Sequence, residues 1–168
     1  RGRIARERLG YLPERDEAYR FLTGRALLAM AGRLSGLGGA VLRRRIDSVA
    51  ERVRISDALD RRIATYSRGM LQRTGIAQAL VNDPDLLLLD EPTGGMDPIG
   101  RMEIRSLIAE RRALGKTVFF SSHELSEVEL ACDRVAIIAG GRIAAAGAVA
   151  ELVPVSYTHL TLPTIYPV

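Results

Sequence analysis

Leu86-Leu87-Leu88-Leu89-Asp90-Glu91-Pro92-Thr93-Gly94-Gly95-Met96-Asp97 is the stretch on which the reading of this chain turns. Four consecutive leucines between Pro84 and a pair of acids predict a short strand buried on both faces, as a parallel sheet inside an α/β domain requires. Pro92 stops the strand, since it has no N–H for a ladder. The strand therefore delivers Asp90 and Glu91 to its carboxyl end. In open α/β sheets that end faces the ligand crevice, so two adjacent carboxylates there are candidates for holding a metal and for activating water.

Downstream, Thr93 to Pro98 is a glycine turn into a helix from Ile99 to Leu114, with Asp97 placed to cap it and Pro98 at its first position. Gly115 ends that helix, and Val118-Phe119-Phe120 forms the next strand. Ser121-Ser122-His123-Glu124 lies at its end. Leu125 to Ala131 reads as a short helix with Cys132 packed at its end, and Arg134 to Ala139 with Arg142 to Ala146 as a hairpin across Gly140-Gly141. Gly147 leads to a last helical turn, Val149 to Leu152. Gly115-Lys116-Thr117 mimics the end of a phosphate-binding loop, but Glu110 stands where that pattern needs glycine, and the triplet leaves a helix for a strand, the reverse of the required order. Lys116 is the only lysine. The sequence therefore holds no Gly-x-x-x-x-Gly-Lys-Ser/Thr motif.

Upstream, Tyr66-Ser67-Arg68-Gly69-Met70 precedes a helix from Leu71 to Leu80. A serine and a glycine at a helix start suit anion binding, because free N–H groups and the helix dipole both favour negative charge there. From Leu22 to Leu59 the chain reads as helical. Thr23 can cap a helix through Ala26, Leu27, Met30 and Leu34, and Ser35-Gly36-Leu37-Gly38-Gly39 breaks it. A second helix, Val41 to Val53, puts Leu42, Ile46, Val49 and Val53 on one face and turns Arg43, Arg44 and Arg45 mostly to solvent. Further back, Arg8 to Leu12 is a strand that runs into the turn Pro13-Glu14-Arg15-Asp16.

A length of 168 residues gives room for one domain, and 47% hydrophobic content is enough for a core. The net charge of +4 is mild, and arginines scattered among acids at helical spacing predict solvated faces rather than a nucleic-acid or lipid surface. One cysteine, Cys132, excludes an internal disulfide and a cysteine-cluster metal site. No apolar run approaches the ~20 residues of a membrane span. The chain opens on Arg1 as though entered partway through a domain. From Val155 through Ser156, Tyr157, Thr158 and His159 to Val168 it changes abruptly to an uncharged composition that resembles translated adapter sequence, and no role is expected for His159.

In this order the motifs resemble those of ATP-binding-cassette (ABC) ATPases, over about Leu9 to Leu152. Leu86 to Glu91 is similar to the Walker B segment and Thr93 to Asp97 to the D-loop. His123 falls where the switch histidine belongs. Ser67 and Gly69 match the signature, from which Tyr66, Arg68 and Met70 depart, and Gly10-Tyr11-Leu12-Pro13-Glu14 looks like the exporter variant of the glutamine loop, with Glu14 in place of glutamine. The resemblance implies an α/β chain with a partial P-loop NTPase fold, a mostly parallel sheet core and a helical subdomain. It implies divisions at 1–16 (end of the first core part), 17–65 (helical subdomain), 66–152 (signature, Walker B, D-loop and switch-histidine core) and 153–168 (non-native tail), and an amino-terminal truncation that removes Walker A.

The same resemblance implies the chemistry. Asp90 would serve Mg²⁺, Glu91 would polarise the attacking water, and His123 would contact the γ-phosphate of ATP. Ser67 and Gly69 would bind ATP held by a second ATP-binding subunit, Asp97 would lie at that dimer interface, and Glu14 would touch Mg²⁺ and water. The implied protein is an ATP-hydrolysing exporter subunit at the cytoplasmic face of the plasma membrane, peripheral, joined to transmembrane permease subunits and to no nucleic acid. This piece alone is expected to be inactive. The alternatives are a soluble ABC ATPase acting on ribosomes or DNA, and a non-catalytic remnant.

Overall fold

The computed structural model describes residues 8–14 and 19–152. Arg15 and Asp16 of the expected turn, and the segment from Val155 with His159, lie outside the described residues. The chain divides after His123 into two compact units.

The first unit is built on β1 (Leu9–Leu12), β2 (Leu86–Leu89) and β3 (Thr117–Phe120), parallel and in the order β1-β2-β3. Leu12 pairs with Leu89, and Leu89 with Phe120. The ladder runs one step past the strands, because Asp90 N donates to Leu12 O at 2.9 Å and Ser121 N to Leu89 O at 3.0 Å. The residues that leave the three strands are thus held level at one edge.

The two faces of this sheet differ. Leu12, Leu87 and Leu89 are buried on the face covered by α3 (Arg68–Leu80). Gly10 lets α3 lie close to β1, since a Cβ there would collide with the carbonyl oxygen of Ala79. On the other face Tyr11 is 54%, Phe119 66% and Leu86 36% exposed. The expectation of a strand buried on both faces is therefore corrected. A run of four leucines satisfies either arrangement, and α3 covers only one of them.

Two helices fill the interval between β1 and α3. Thr23 Oγ1 accepts from Ala26 N at 3.2 Å and caps α1 (Gly24–Leu34). In α2 (Gly39–Arg52) Leu42, Ile46 and Val49 are buried while Arg43 and Arg44 face water. Both helices pack against α3. A small core of Leu27, Ala58, Ile63 and Tyr66, with Met70 and Leu71 packed against it, ties α1 to the start of α3. The Tyr66 hydroxyl donates to Ala58 O at 2.6 Å, which satisfies the buried phenol, and burial pushes its pKa up.

After β2 the chain enters α4 (Pro98–Ala113), whose Ile104, Leu107 and Ile108 form a buried stripe. Arg111 continues it at 8% exposure, donating to Asp83 Oδ1 and to Pro84 O, both at 2.6 Å. That is a second correction. This arginine is an internal tie, not part of a solvated face.

The second unit holds α5 (Leu125–Ala131), with half-buried Cys132 as its C-cap, and the antiparallel pair β4 (Arg134–Ala139) and β5 (Arg142–Ala148). β5 runs two residues past the expected end at Ala146, because Arg134 pairs with Ala148. A helical turn follows over 149–152.

Candidate active site

Three parallel strands bring three loops to one place. Glu14 follows β1, Asp90 and Glu91 follow β2, and Ser121 and His123 follow β3; with Arg68 at the start of α3 they line an open cleft of about 550 Å³. The acids that the sequence singled out are therefore gathered by topology rather than by proximity along the chain.

The carboxylates are held by specific bonds. Ser121 Oγ donates to Asp90 Oδ1 at 2.5 Å and accepts from Glu91 N at 3.0 Å. One hydroxyl supplies one donor and two acceptor sites, so both bonds coexist. Glu91 Oε2 lies 2.9 Å from His123 Nδ1, with the glutamate side chain 25% and the histidine 75% exposed. Gln72 Nε2, from α3, donates to Glu91 O at 3.0 Å and to Pro92 O at 3.1 Å. Glu91 itself is left-handed, with φ of 48°. For an L-residue that conformation costs about 1–2 kcal/mol.

The turn that follows reverses the chain. Gly94 N donates to Glu91 O at 3.0 Å and Met96 N to Thr93 O at 3.2 Å. Gly95, at φ 72°, sits against the Arg68 side chain, where a Cβ would collide with the guanidinium. Asp97 Oδ1 then accepts from Gly100 N at 2.9 Å and caps α4, with Pro98 opening the helix as the spacing predicts. Ser67 Oγ caps α3, accepting from Met70 N at 3.3 Å, and Gly69 lies in its first turn with open space beside it.

Glu14, Asp90, Glu91 and His123 thus share the cleft. Ser67 and Gly69 sit at the start of α3 and Asp97 at the start of α4, outside the lining. Sequence reasoning missed Ser121 and Gln72. Ser121 stands two residues before His123, a usable signal, whereas Gln72 is one polar residue in a helix and carries none. It also took Arg68 only as a departure from the signature, although the side chain lines the cleft.

Magnesium takes oxygen donors, keeps several waters, and usually rests on one or two carboxylates plus substrate phosphates. Asp90 and Glu91 fit that chemistry. Among the described residues no group of three or more His, Cys, Asp or Glu side chains is placed to hold a metal ion. For a triphosphate the cleft offers His123 and Arg68 but no lysine. Lys116 is engaged at the other end of β2, 2.6 Å from Asp85 Oδ1.

A parallel sheet whose carboxyl edge gathers an Asp-Glu pair and a histidine beside a serine-capped helix defines an ABC-type ATP-binding fold. The ABC transporter family model matches residues 1–94, and the chain belongs to that family. It is 45% identical over 159 residues to an ABC transporter ATP-binding protein of Nostoc sp. (strain PCC 7120), covering 94% of this chain and 48% of that protein. It is 38% identical over 153 residues to the Nod factor export ATP-binding protein I of Paraburkholderia xenovorans, covering 91% of this chain and 50% of that one. A solved ATP-binding subunit of an ABC transporter matches with a TM-score of 0.82 at 29% identity, covering 93% of this chain and 65% of the other. The chain spans about half the length of the curated relatives it matches. Among the described residues no helix is long and apolar enough to cross a membrane.

Proposed function

We propose that this chain carries the Walker B, D-loop and switch-histidine part of a subunit that hydrolyses ATP to drive an exporter. The observation that supports it most is the convergence of Asp90, Glu91, Ser121 and His123 at the carboxyl ends of parallel strands. Relatives named for Nod factor export favour the outward direction of transport.

Glu91 orients a water molecule and takes its proton. His123 holds the Glu91 carboxylate through Nδ1 and stands open to substrate on its exposed side. Asp90, oriented by Ser121, would hold Mg²⁺ through the ion's hydration shell, and Glu14 would reach the same water network. Bound Mg²⁺ would supply charge neutralisation on the phosphates. Ser67, Gly69 and Asp97 lie outside the cleft, as residues that serve the nucleotide of a second ATP-binding subunit would. Residues 17–65 are then the helical subdomain that docks on transmembrane permease subunits, 66–152 carry the signature, Walker B, D-loop and switch histidine, and the assembly is peripheral on the cytoplasmic face of the plasma membrane.

The test is Glu91→Gln in the protein encoded by the complete reading frame. Loss of the base should slow turnover by at least ~10²-fold, with ATP binding retained. Hydrolysis at the parent rate in that variant would overturn the assignment.

A further inference from the structure

We propose that Ser121 and Gln72 are positioning residues that grip the Glu91 peptide from both sides and so aim its carboxylate; this rests on the ATPase reading above. Glu91 is one of three non-glycine residues with positive φ among those described. Such a conformation persists only where the surroundings over-determine it. Here they do so through two side chains distant in sequence.

The Glu91 N–H is taken by Ser121 Oγ at 3.0 Å, 30 residues downstream. Its carbonyl accepts from Gln72 Nε2 at 3.0 Å, from 19 residues upstream, beside the local turn bond from Gly94 N at 3.0 Å. The second proton of the same amide is positioned for Pro92 O at 3.1 Å, so the two carbonyls that flank the Pro92 ring are gathered on one nitrogen. A residue fixed on both its donor and its acceptor cannot rotate its φ without breaking one of them. The Cα–Cβ direction, and with it the carboxylate beside His123, is thereby set.

The two grips differ in reach. Ser121 also donates to Asp90 Oδ1, so its loss loosens both carboxylates. Gln72 touches only backbone after Asp90, so its loss loosens Glu91 alone. In the complete protein, Ser121→Ala and Gln72→Met should each lower kcat about tenfold, the scale of one lost hydrogen bond, with KM for ATP changed less than about twofold. Ser121→Thr, which keeps the hydroxyl, should restore kcat. The Mg²⁺ concentration for half-maximal rate should rise in Ser121→Ala and stay put in Gln72→Met. Parent-like kcat in both variants, or a threonine variant as slow as the alanine, would overturn the proposal. If the parent itself hydrolyses no ATP, the ATPase reading falls separately. The grip is then judged by amide exchange at Glu91–Met96 in this chain, where both variants should exchange faster at an unchanged melting temperature, and unchanged protection would sink it.

Discussion

The two ends of β2 carry the same kind of residue under opposite treatment. At the amino end, Asp85 lies 2.6 Å from Lys116 Nζ and 3.4 Å from Arg8, and Asp83 lies 2.6 Å from the buried Arg111 guanidinium. Each carboxyl is held below the ordinary range, Asp85 by the bond from Lys116 and Asp83 by the bond from Arg111, against the opposing effect of burial. At the carboxyl end, Asp90 and Glu91 are held by a hydroxyl, an imidazole and a carboxamide. One end is neutralised within the chain. The other is held by neutral donors and an imidazole instead, which suits the Mg²⁺-assisted hydrolysis proposed above. Asp85 and Asp90 are roughly 16 Å apart along a strand that rises about 3.3 Å per residue, so the two ends can be perturbed independently.

The sharpest separation is a matched pair of charge removals in the complete protein. Asp90→Asn should lower Mg²⁺-dependent turnover by roughly 10²–10³-fold, the scale of losing one charge-stabilising group from an active site. Asp85→Asn, the same change at the structural end, should leave kcat at the parent value. Steady-state hydrolysis at varied Mg²⁺ reads both, and equal losses would collapse the distinction.

What the sequence disclosed about these two ends follows from the range of the interactions involved. Local signals were legible: Thr23 and Asp97 cap their helices, Pro98 opens α4, and Leu125 to Ala131 forms the short helix read from its pattern. α3 starts at Arg68 rather than Leu71, because Ser67 caps it. The strand of four leucines was legible as a strand but not in its burial, because a uniform run has no alternation from which to choose a face. Candidate acids could be read because adjacent carboxylates at a strand end have few other uses. Their holders could not. Ser121 and Gln72 meet Glu91 only through strand pairing and helix packing, and neither residue type is unusual where it stands. Arg111 escaped for the same reason, since the deciding partner, Asp83, is 28 residues away.

A smaller effect is expected from Arg111→Met, which removes the buried one of the cations at the amino end and leaves β2 otherwise intact. Two bonds of 2.6 Å are lost. The Asp83 side chain, 40% exposed, regains water and keeps Arg45 at 3.9 Å, so the cost should be about 1–3 kcal/mol, below that of a fully buried pair. Urea denaturation of the chain measures it. Turnover per folded molecule in the complete protein should not change, and a fall there would mean that the two ends are not independent.

The smallest expected effect is the pH dependence that Asp83 contributes, and its sign follows from the lowered pKa. The folded carboxyl titrates below the ordinary value of 3.8 because Arg111 stabilises the carboxylate. The unfolded chain therefore binds the proton more readily, and stability rises with pH through this window. The contribution is fully present well above the ordinary carboxyl range and is lost as pH falls through the folded value. Asp83→Asn isolates the charge, because asparagine tolerates the positive φ of 52° at this position. Urea midpoints from neutral pH into acid should fall less steeply for the variant than for the parent. Exposure permits screening, so the difference should shrink at about 1 M salt. Parallel acid limbs at low salt would remove Asp83 from the set of acids neutralised within the chain, leaving Asp85 alone to mark the contrast with Asp90 and Glu91.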